Sequence, residues 1–429
     1  MRREAQFGGA AFWTLRQLII NYWALPLIAV IAAPVAAIVS LWLGQHGASE
    51  FLLARDLAPV ASAETAKELA STATGVTAAF LTLYFSITLL VLTLAAGNLG
   101  VRLIDRWIDK RLVRISMAGL AFCLVFSLII LAAIDPAADM ADVPLFSLLV
   151  LIILQMINIA MMGVSLHDLG RTMFVDRSIA RIGRDAATPN LPVTAGEAWR
   201  GEWAQTIPAR RTGYVEGINY AWLAKKLSDH PGRLHFCKAP GAHVLEGEAL
   251  VLCERDGVDP HYIDKAIAIG DFRSDGQGPV FFIRLLVEIA ARALSPGIND
   301  SYTARAACDA LTHAMAGQLG SWVDRADQPL YADDCRFEIP GQDFAALFAG
   351  PLATLRQSAA DYPAIAARMI DNFGRLLHHD AMMNRSPELR AFLCTQADAL
   401  ADHALAQTQQ HLDRETLESA RRNCVGEAA

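Results

Sequence analysis

The sequence predicts an α-helical membrane protein: four transmembrane helices, then a cytoplasmic α+β domain with a small β-rich piece and a helical bundle. Three observations carry this reading. Four uncharged apolar runs precede Ser165. The loops joining them alternate between basic and acidic. After Arg184 the chain turns polar, first with short Gly-punctuated segments and then with amphipathic helical ones.

The four runs extend from about Leu18 to Leu43, Thr72 to Ala96, Ile115 to Ile134 and Pro144 to Val164, and none contains Asp, Glu, Lys or Arg. At a rise of 1.5 Å per residue, about 20 residues cross the roughly 30 Å of hydrocarbon in a bilayer. The first run is too long, and is followed by too many others, to be a cleaved signal. Pro26 and Pro34 are expected to kink it, which neighbouring helices tolerate. Arg2, Arg3 and Arg16 precede the first run. Arg102, Arg106, Lys110, Arg111 and Arg114 fill the second loop, and Arg171, Arg177, Arg181 and Arg184 follow the fourth run. The other two loops carry Glu50, Asp56, Glu64 and Glu68, and Asp135, Asp139 and Asp142. Basic loops stay in the cytoplasm, so both termini are expected inside.

Composition agrees. Of 429 residues 54% are hydrophobic and 19% charged, against about a quarter charged in a typical soluble domain. A net charge of −7 excludes a strong nucleic-acid footprint, so no nucleic-acid partner is expected. The seven cysteines are scattered without a CxxC pair, which fits a reducing compartment and neither a disulfide framework nor a zinc module.

Two polar stripes interrupt the spans. Gly75, Ala78, Thr82, Ser86 and Thr93 fall near one face of the second, and Gln155, Asn158 and Ser165 near one face of the fourth. Small residues and hydroxyls pack helices together in a bilayer. The same pattern also lines a polar path through an oligomer, which makes Thr82, Ser86, Thr93, Gln155 and Asn158 pore-lining candidates. No intramembrane charge is present to relay protons, which weighs against an ion-coupled pump.

Thr188-Pro189-Asn190-Leu191-Pro192 reads as a linker. Strand character follows in Arg211–Ile218, Gly232–Cys237 and Pro240–Val251. The spacing PGxxVxxGExL in the last resembles half of a barrel-sandwich domain of the biotinyl/lipoyl kind, where glycines turn the chain between short strands. The lysine of a modification hairpin is missing, so neither biotin nor lipoate is expected, and no cofactor. The expected domains are therefore 1–184, four membrane helices; 185–260, barrel-sandwich-like; and 261–429, helical.

Val280–Leu294 reads as a buried helix interrupted by Arg284, Glu288 and Arg292, four residues apart. That spacing makes either an ion-pair ladder or an anion or ligand site. Ser295-Pro296 stops the helix, and Asn299 or Asp300 caps the next, Ser301 to about Leu319. A strand at Cys335–Ile339 and helices at Phe344–Ala360, Pro363–His379, Pro387 to about Leu412 and Glu415–Asn423 complete the chain.

The stretch Arg292-Ala293-Leu294-Ser295-Pro296-Gly297-Ile298-Asn299-Asp300-Ser301-Tyr302-Thr303-Ala304 resembles the signature ALSPAINDPxTA of a bacterial family of predicted membrane proteins, domain of unknown function twenty-two fifty-four. Phe85-Ser86-Ile87-Thr88-Leu89 resembles the family too, as does Gly213-Tyr214-Val215 followed by Pro240-Gly241. Gly297 stands for the usual alanine and Ser301 for the usual proline. Asn98-Leu99-Gly100-Val101 replaces a more polar stretch. The resemblance implies a multi-pass protein of the bacterial inner membrane and supplies no activity.

No HExxH, Walker, GxSxG or GxGxxG motif is present. His167-Asp168 and His378-His379-Asp380 hint at a metal phosphohydrolase but lack further ligand spacing. No catalytic residue and no metal site is therefore assigned. The corner Ser295, Pro296, Asn299 and Asp300 is either a cap or a ligand site. The favoured function is an oligomeric ion channel or pore with a cytoplasmic assembly or gating domain. A non-transporting scaffold or ligand sensor comes second and a membrane-tethered enzyme last. The expected partners are the lipid bilayer, further copies of the chain, and a small ligand or ion.

Overall fold

A computed structural model describes residue 10 and residues 23–99, 111–171, 175–189, 191–324, 328–332, 336–379, 382 and 386–426. Arg2, Arg3, Arg16, Arg102, Arg106 and Lys110, on which the expected orientation leans, lie outside the described residues. So do Leu18, Gly100, Val101, Cys335 and Asp380. The described residues 23–171 and 175–426 belong to two different compact units.

The first unit holds four helices long and apolar enough to cross a bilayer. Helix α1 (Ala24–Leu43) has Pro26 in its first turn, where no backbone N–H is required, and runs through Pro34. Its geometry breaks further on, at Gly44–Ala48. There His46 and Gly47 leave helical dihedrals, and Gly47 takes a φ of 101°. The helix then resumes as α2 (Ser49–Ala54). Helix α3 spans Ala63–Leu99, α4 Arg111–Ala133 and α5 Leu145–Arg171. With 37 residues, α3 is about 55 Å long. The surplus over the hydrocarbon thickness accommodates Glu64, Lys67 and Glu68 in its first two turns. Helix α4 packs against α1, α3 and α5, and its Leu120, Cys123, Phe126 and Ile130 are buried. The alanines Ala33 and Ala37 of α1 and Ala66 and Ala70 of α3 share a core with α4. Lipid tails are as apolar as leucine, so close packing by such small residues holds the bundle.

The second unit is mixed α+β. Its described strands are β1 (Thr194–Ala195), β2 (Gln205–Pro208), β3 (Gly213–Ile218), β4 (Leu234–Phe236), β5 (His243–Val244), β6 (Ala249–Cys253), β7 (Ile267–Gly270), β8 (Leu330–Tyr331) and β9 (Phe337–Glu338). They form a six-stranded sheet in the order β1-β8-β9-β4-β6-β2 and a three-stranded sheet in the order β5-β3-β7. Strands β4 and β9 pair in parallel, Leu234 opposite Phe337; the other pairs are antiparallel. Both sheets feed one core, with Ile207, Phe236, Val251 and Phe337 from the larger and Val215, Val244 and Ile267 from the smaller.

The helices of this unit begin with α6 (Val175–Ala186). Two short ones, α7 (Tyr220–Lys226) and α8 (Pro260–Ala266), link strands. Then come α9 (Pro279–Ala293), α10 (Ser301–Gln318), α11 (Phe344–Ala359), α12 (Pro363–Leu377), α13 (Pro387–Gln407) and α14 (His411–Gly426). Helix α9 is buried on most of its surface, and its half-buried stripe is Arg284, Glu288 and Arg292. Helix α6 packs against α9 and α10. The approach is close because glycine allows it. A Cβ on Gly183 would lie 3.0 Å from Ala310 Cβ, and one on Gly317 2.6 Å from the Ala187 carbonyl oxygen. Buried Gln318 donates from Nε2 to the Ala186 carbonyl at 3.0 Å, satisfying an orphan group at the end of α6.

Candidate functional site

The structure separates the two polar stripes of the membrane unit. Each helical residue turns the chain by about 100°. On α3, Ala66, Ala70, Thr77, Tyr84, Thr88 and Val91 are buried and therefore cluster on one side. Gly75, Thr82, Ser86 and Thr93 are exposed and fall about half a turn away from that side. Their hydroxyls are satisfied within the helix: Thr82 Oγ1 donates to the Ala78 carbonyl at 3.0 Å, Ser86 Oγ to Thr82 at 2.9 Å, and Thr93 Oγ1 to Leu89 at 2.8 Å.

Gln155 and Asn158 sit elsewhere, among the helices of the bundle. Thr77 Oγ1 donates to Gln155 Oε1 at 2.8 Å, and Cys123 Sγ lies 3.5 Å from the same oxygen. Gln155 Nε2 is buried with no hydrogen-bond partner among the described residues. Asn158 is buried beside Gly119, where an added Cβ would stand 2.5 Å from Asn158 Oδ1. The Tyr84 hydroxyl bonds Ser165, and Ser40 Oγ donates to Ser147 Oγ at 2.7 Å. Thus α5 is tied to α1 and α3 by side-chain hydrogen bonds, each typically worth about 0.6 kcal/mol in a membrane.

The corner between α9 and α10 is a cap in its geometry. Asp300 is the N-cap of α10, accepting from the Thr303 amide at 3.0 Å and from its hydroxyl at 2.6 Å. These bonds hold the Asp300 carboxyl below the usual carboxylate range. Asn299 takes a left-handed φ of 48°, a conformation asparagine tolerates better than most residues. Its amide donates to the Ser295 carbonyl at 2.9 Å, and that of Asp300 to Ala293 at 2.8 Å. Pro296, Gly297, Ile298 and Asn299 are exposed.

Arg284 points to the β layer, with Nη1 donating to the Gly241 carbonyl at 2.9 Å. Arg292 Nε is buried without a hydrogen-bond partner among the described residues. The β layer also holds an acid that the sequence did not single out. Glu216 on β3 is fully buried. It accepts from Ser274 Oγ and, at 3.3 Å, from Gln277 Nε2. Burial pushes its carboxyl up to about 7, with Asp275 acting in the same direction. A buried, raised carboxyl is the type of group that functional sites contain. An ordinary alternating strand places glutamate toward water, so only the fold reveals it.

Among the described residues, no group of three His, Cys, Asp or Glu side chains is placed to hold a metal ion. His378 Nδ1 lies 2.6 Å from the Gly374 carbonyl, at the end of α12.

Fold and sites together define a multi-span membrane protein with four candidate membrane helices and a mixed α+β unit. The chain belongs to the family described as Predicted membrane protein (DUF2254), whose family model matches residues 20–374. No curated protein and no solved structure matches it.

Proposed function

We propose that the protein is an oligomeric channel or pore of a bacterial inner membrane. Both termini are cytoplasmic in this reading, and the second unit is a cytoplasmic assembly or gating domain. One observation carries the proposal. The hydroxyl face of α3 points away from its own bundle and is covered by none of the other described helices of that unit. Around a symmetry axis, a face bearing Gly75, Thr82, Ser86 and Thr93 permits close approach and gives a polar lining. Gln155 and Asn158 then hold each protomer together. The β layer serves as a barrel-sandwich-like piece, a reading supported by the single core shared by its two sheets.

A second reading, a non-transporting scaffold or ligand sensor, is favoured by the intrahelical bonds of Thr82, Ser86 and Thr93, which make that face acceptable to lipid. Ion flux through purified protein in liposomes, with Thr82→Trp as control, separates the two. Saturable or discrete currents abolished by the substitution support the pore. Silence across ions, voltages and membrane tension, from folded protein, overturns it in favour of the scaffold.

A further inference from the structure

A cleft of ≈ 340 Å³ opens between α10 and α12, within the second unit. A chain of hydrogen bonds runs along its wall. Arg368 donates from Nε and Nη2 to the two oxygens of Asp309, both at 2.9 Å. Asn372 Nδ2 donates to Asp309 Oδ1 at 2.9 Å, and Arg375 Nη1 donates to Asn372 Oδ1 at 2.9 Å. Asn372 is fully buried. Burial works to raise the Asp309 carboxyl, but Arg368 and Asn372 outweigh it and keep it below the usual range.

The two arginines of this chain are held differently. Arg368 neutralises Asp309, whose oxygens are thereby occupied. Arg375 at the other end forms no direct ion pair among the described residues; its guanidinium bonds the Asn372 amide, and its charge also helps to hold the Asp309 carboxyl low. An exposed arginine ordinarily keeps its rotamer freedom. Here a buried amide clamps the guanidinium in place at the mouth of a cavity. His313 and His379 stand beside it, and Ala316 and Leu376 supply apolar lining. The volume falls at the small end of the roughly 300–1,000 Å³ typical of ligand pockets, larger than an inorganic anion fills.

We propose that this cleft binds a small organic oxyanion, a phosphate or carboxylate on a compact apolar body, with Arg375 as its anchoring cation. The inference is independent of the pore reading. Charge-assisted hydrogen bonds to one guanidinium are the strongest contacts such a cleft offers, so affinity depends on residue 375.

The test is calorimetric titration of the full-length protein in neutral detergent with phenyl phosphate, inorganic phosphate and, as uncharged control, phenol. Phenyl phosphate is expected to bind one saturable site more tightly than inorganic phosphate, with phenol silent. Arg375→Gln is expected to weaken phenyl phosphate by about tenfold or more and Arg375→Lys by less, each keeping a donor for Asn372 so that the unliganded protein still unfolds in one cooperative transition. Absence of saturable binding, or equal affinity in Arg375→Gln, overturns the proposal. A lipid headgroup carries the same chemistry, so the titration is repeated in nanodiscs of phosphatidylcholine and of phosphatidic acid. Equal affinity in both supports a free ligand. Loss of binding in phosphatidic acid alone supports the same site filled by a headgroup.

Discussion

Replacing Glu216 with glutamine probes the buried acid of the β layer. Glu216 is fully buried on β3, with Ser274 and Gln277 as its hydrogen-bond partners. Burial lifts its carboxyl from the ordinary 4.5 to about 7. The folded value lies above the unfolded one, so between them the folded state binds the proton more tightly. The stability this group contributes is complete below about 4.5 and is lost as pH rises through about 7. At 1.36 kcal/mol per unit, the rise amounts to about 3 kcal/mol, or over a hundredfold in an opening equilibrium. Glutamine keeps the shape and an acceptor oxygen but cannot ionise. Glu216→Gln is therefore expected to match the wild type at pH 4 and to be more stable by about 2–3 kcal/mol at pH 8.5. Hydrogen exchange of the segments 213–218 and 267–278, corrected for intrinsic rates, measures this local free energy directly. Parallel loss of protection with pH in both proteins would refute the reasoning. It would mean that Glu216 is already ionised at neutral pH and held by its hydrogen bonds against the cost of burial.

Two further substitutions test the corner and the membrane bundle. Asp300→Ala is expected to cost about 1 kcal/mol at pH 7 and Asp300→Asn a few tenths, since asparagine caps nearly as well. The Asp300 carboxyl is held low in the fold, so its contribution is present above the ordinary carboxylate value and lost as pH falls through the lowered one. The penalty of Asp300→Ala in thermal unfolding should therefore shrink toward pH 3; an equal penalty there argues against capping. Gly119→Ala drives a methyl to 2.5 Å from Asn158 Oδ1 and is expected to destabilise the detergent-solubilised protein by roughly 1–3 kcal/mol. Adding Asn158→Ala should recover most of that loss, and strictly additive effects would show that the two residues do not touch.

Much of the architecture was legible in sequence because its signals are long or chemically obligatory. An uncharged run of 20 residues has few alternatives to a membrane helix, and four long apolar helices cover the four runs to within a residue at their described ends. A cap at Asn299 or Asp300 was readable because Ser295-Pro296 ends one helix just before another must start, and the fold selects Asp300. Gly213–Ile218 was readable as a strand by its alternation. Strands such as Thr194–Ala195 and Leu330–Tyr331 are too short to carry a period, and they exist through partners distant in sequence. The same limit hid the candidate sites of the second unit. Glu216 and Gln277 are 61 residues apart, and Asp309 and Arg368 are 59 apart, so only the fold brings them together. The two polar stripes looked alike as helical spacing. Which one faces its own bundle depends on neighbouring helices, and spacing alone carries no information about that.

The parallel pairing of β4 with β9 constrains how the protein is made. When β6 has left the ribosome, β2, β6 and β4 can associate, but β4 still has a bare edge. The strand that covers it ends at Glu338, 85 residues beyond the end of β6 at Cys253. At about 5–20 residues per second, translation takes roughly 4–17 seconds to deliver it. Throughout that interval an open strand edge is available to any extended chain nearby. The nascent protein meanwhile completes α9 and α10, so the helical hairpin is synthesised before the sheet on either side of it can close. Stalling translation between Cys253 and Phe337 therefore lengthens the exposure of that edge, and ribosome-bound chains arrested there should be those a chaperone holds longest.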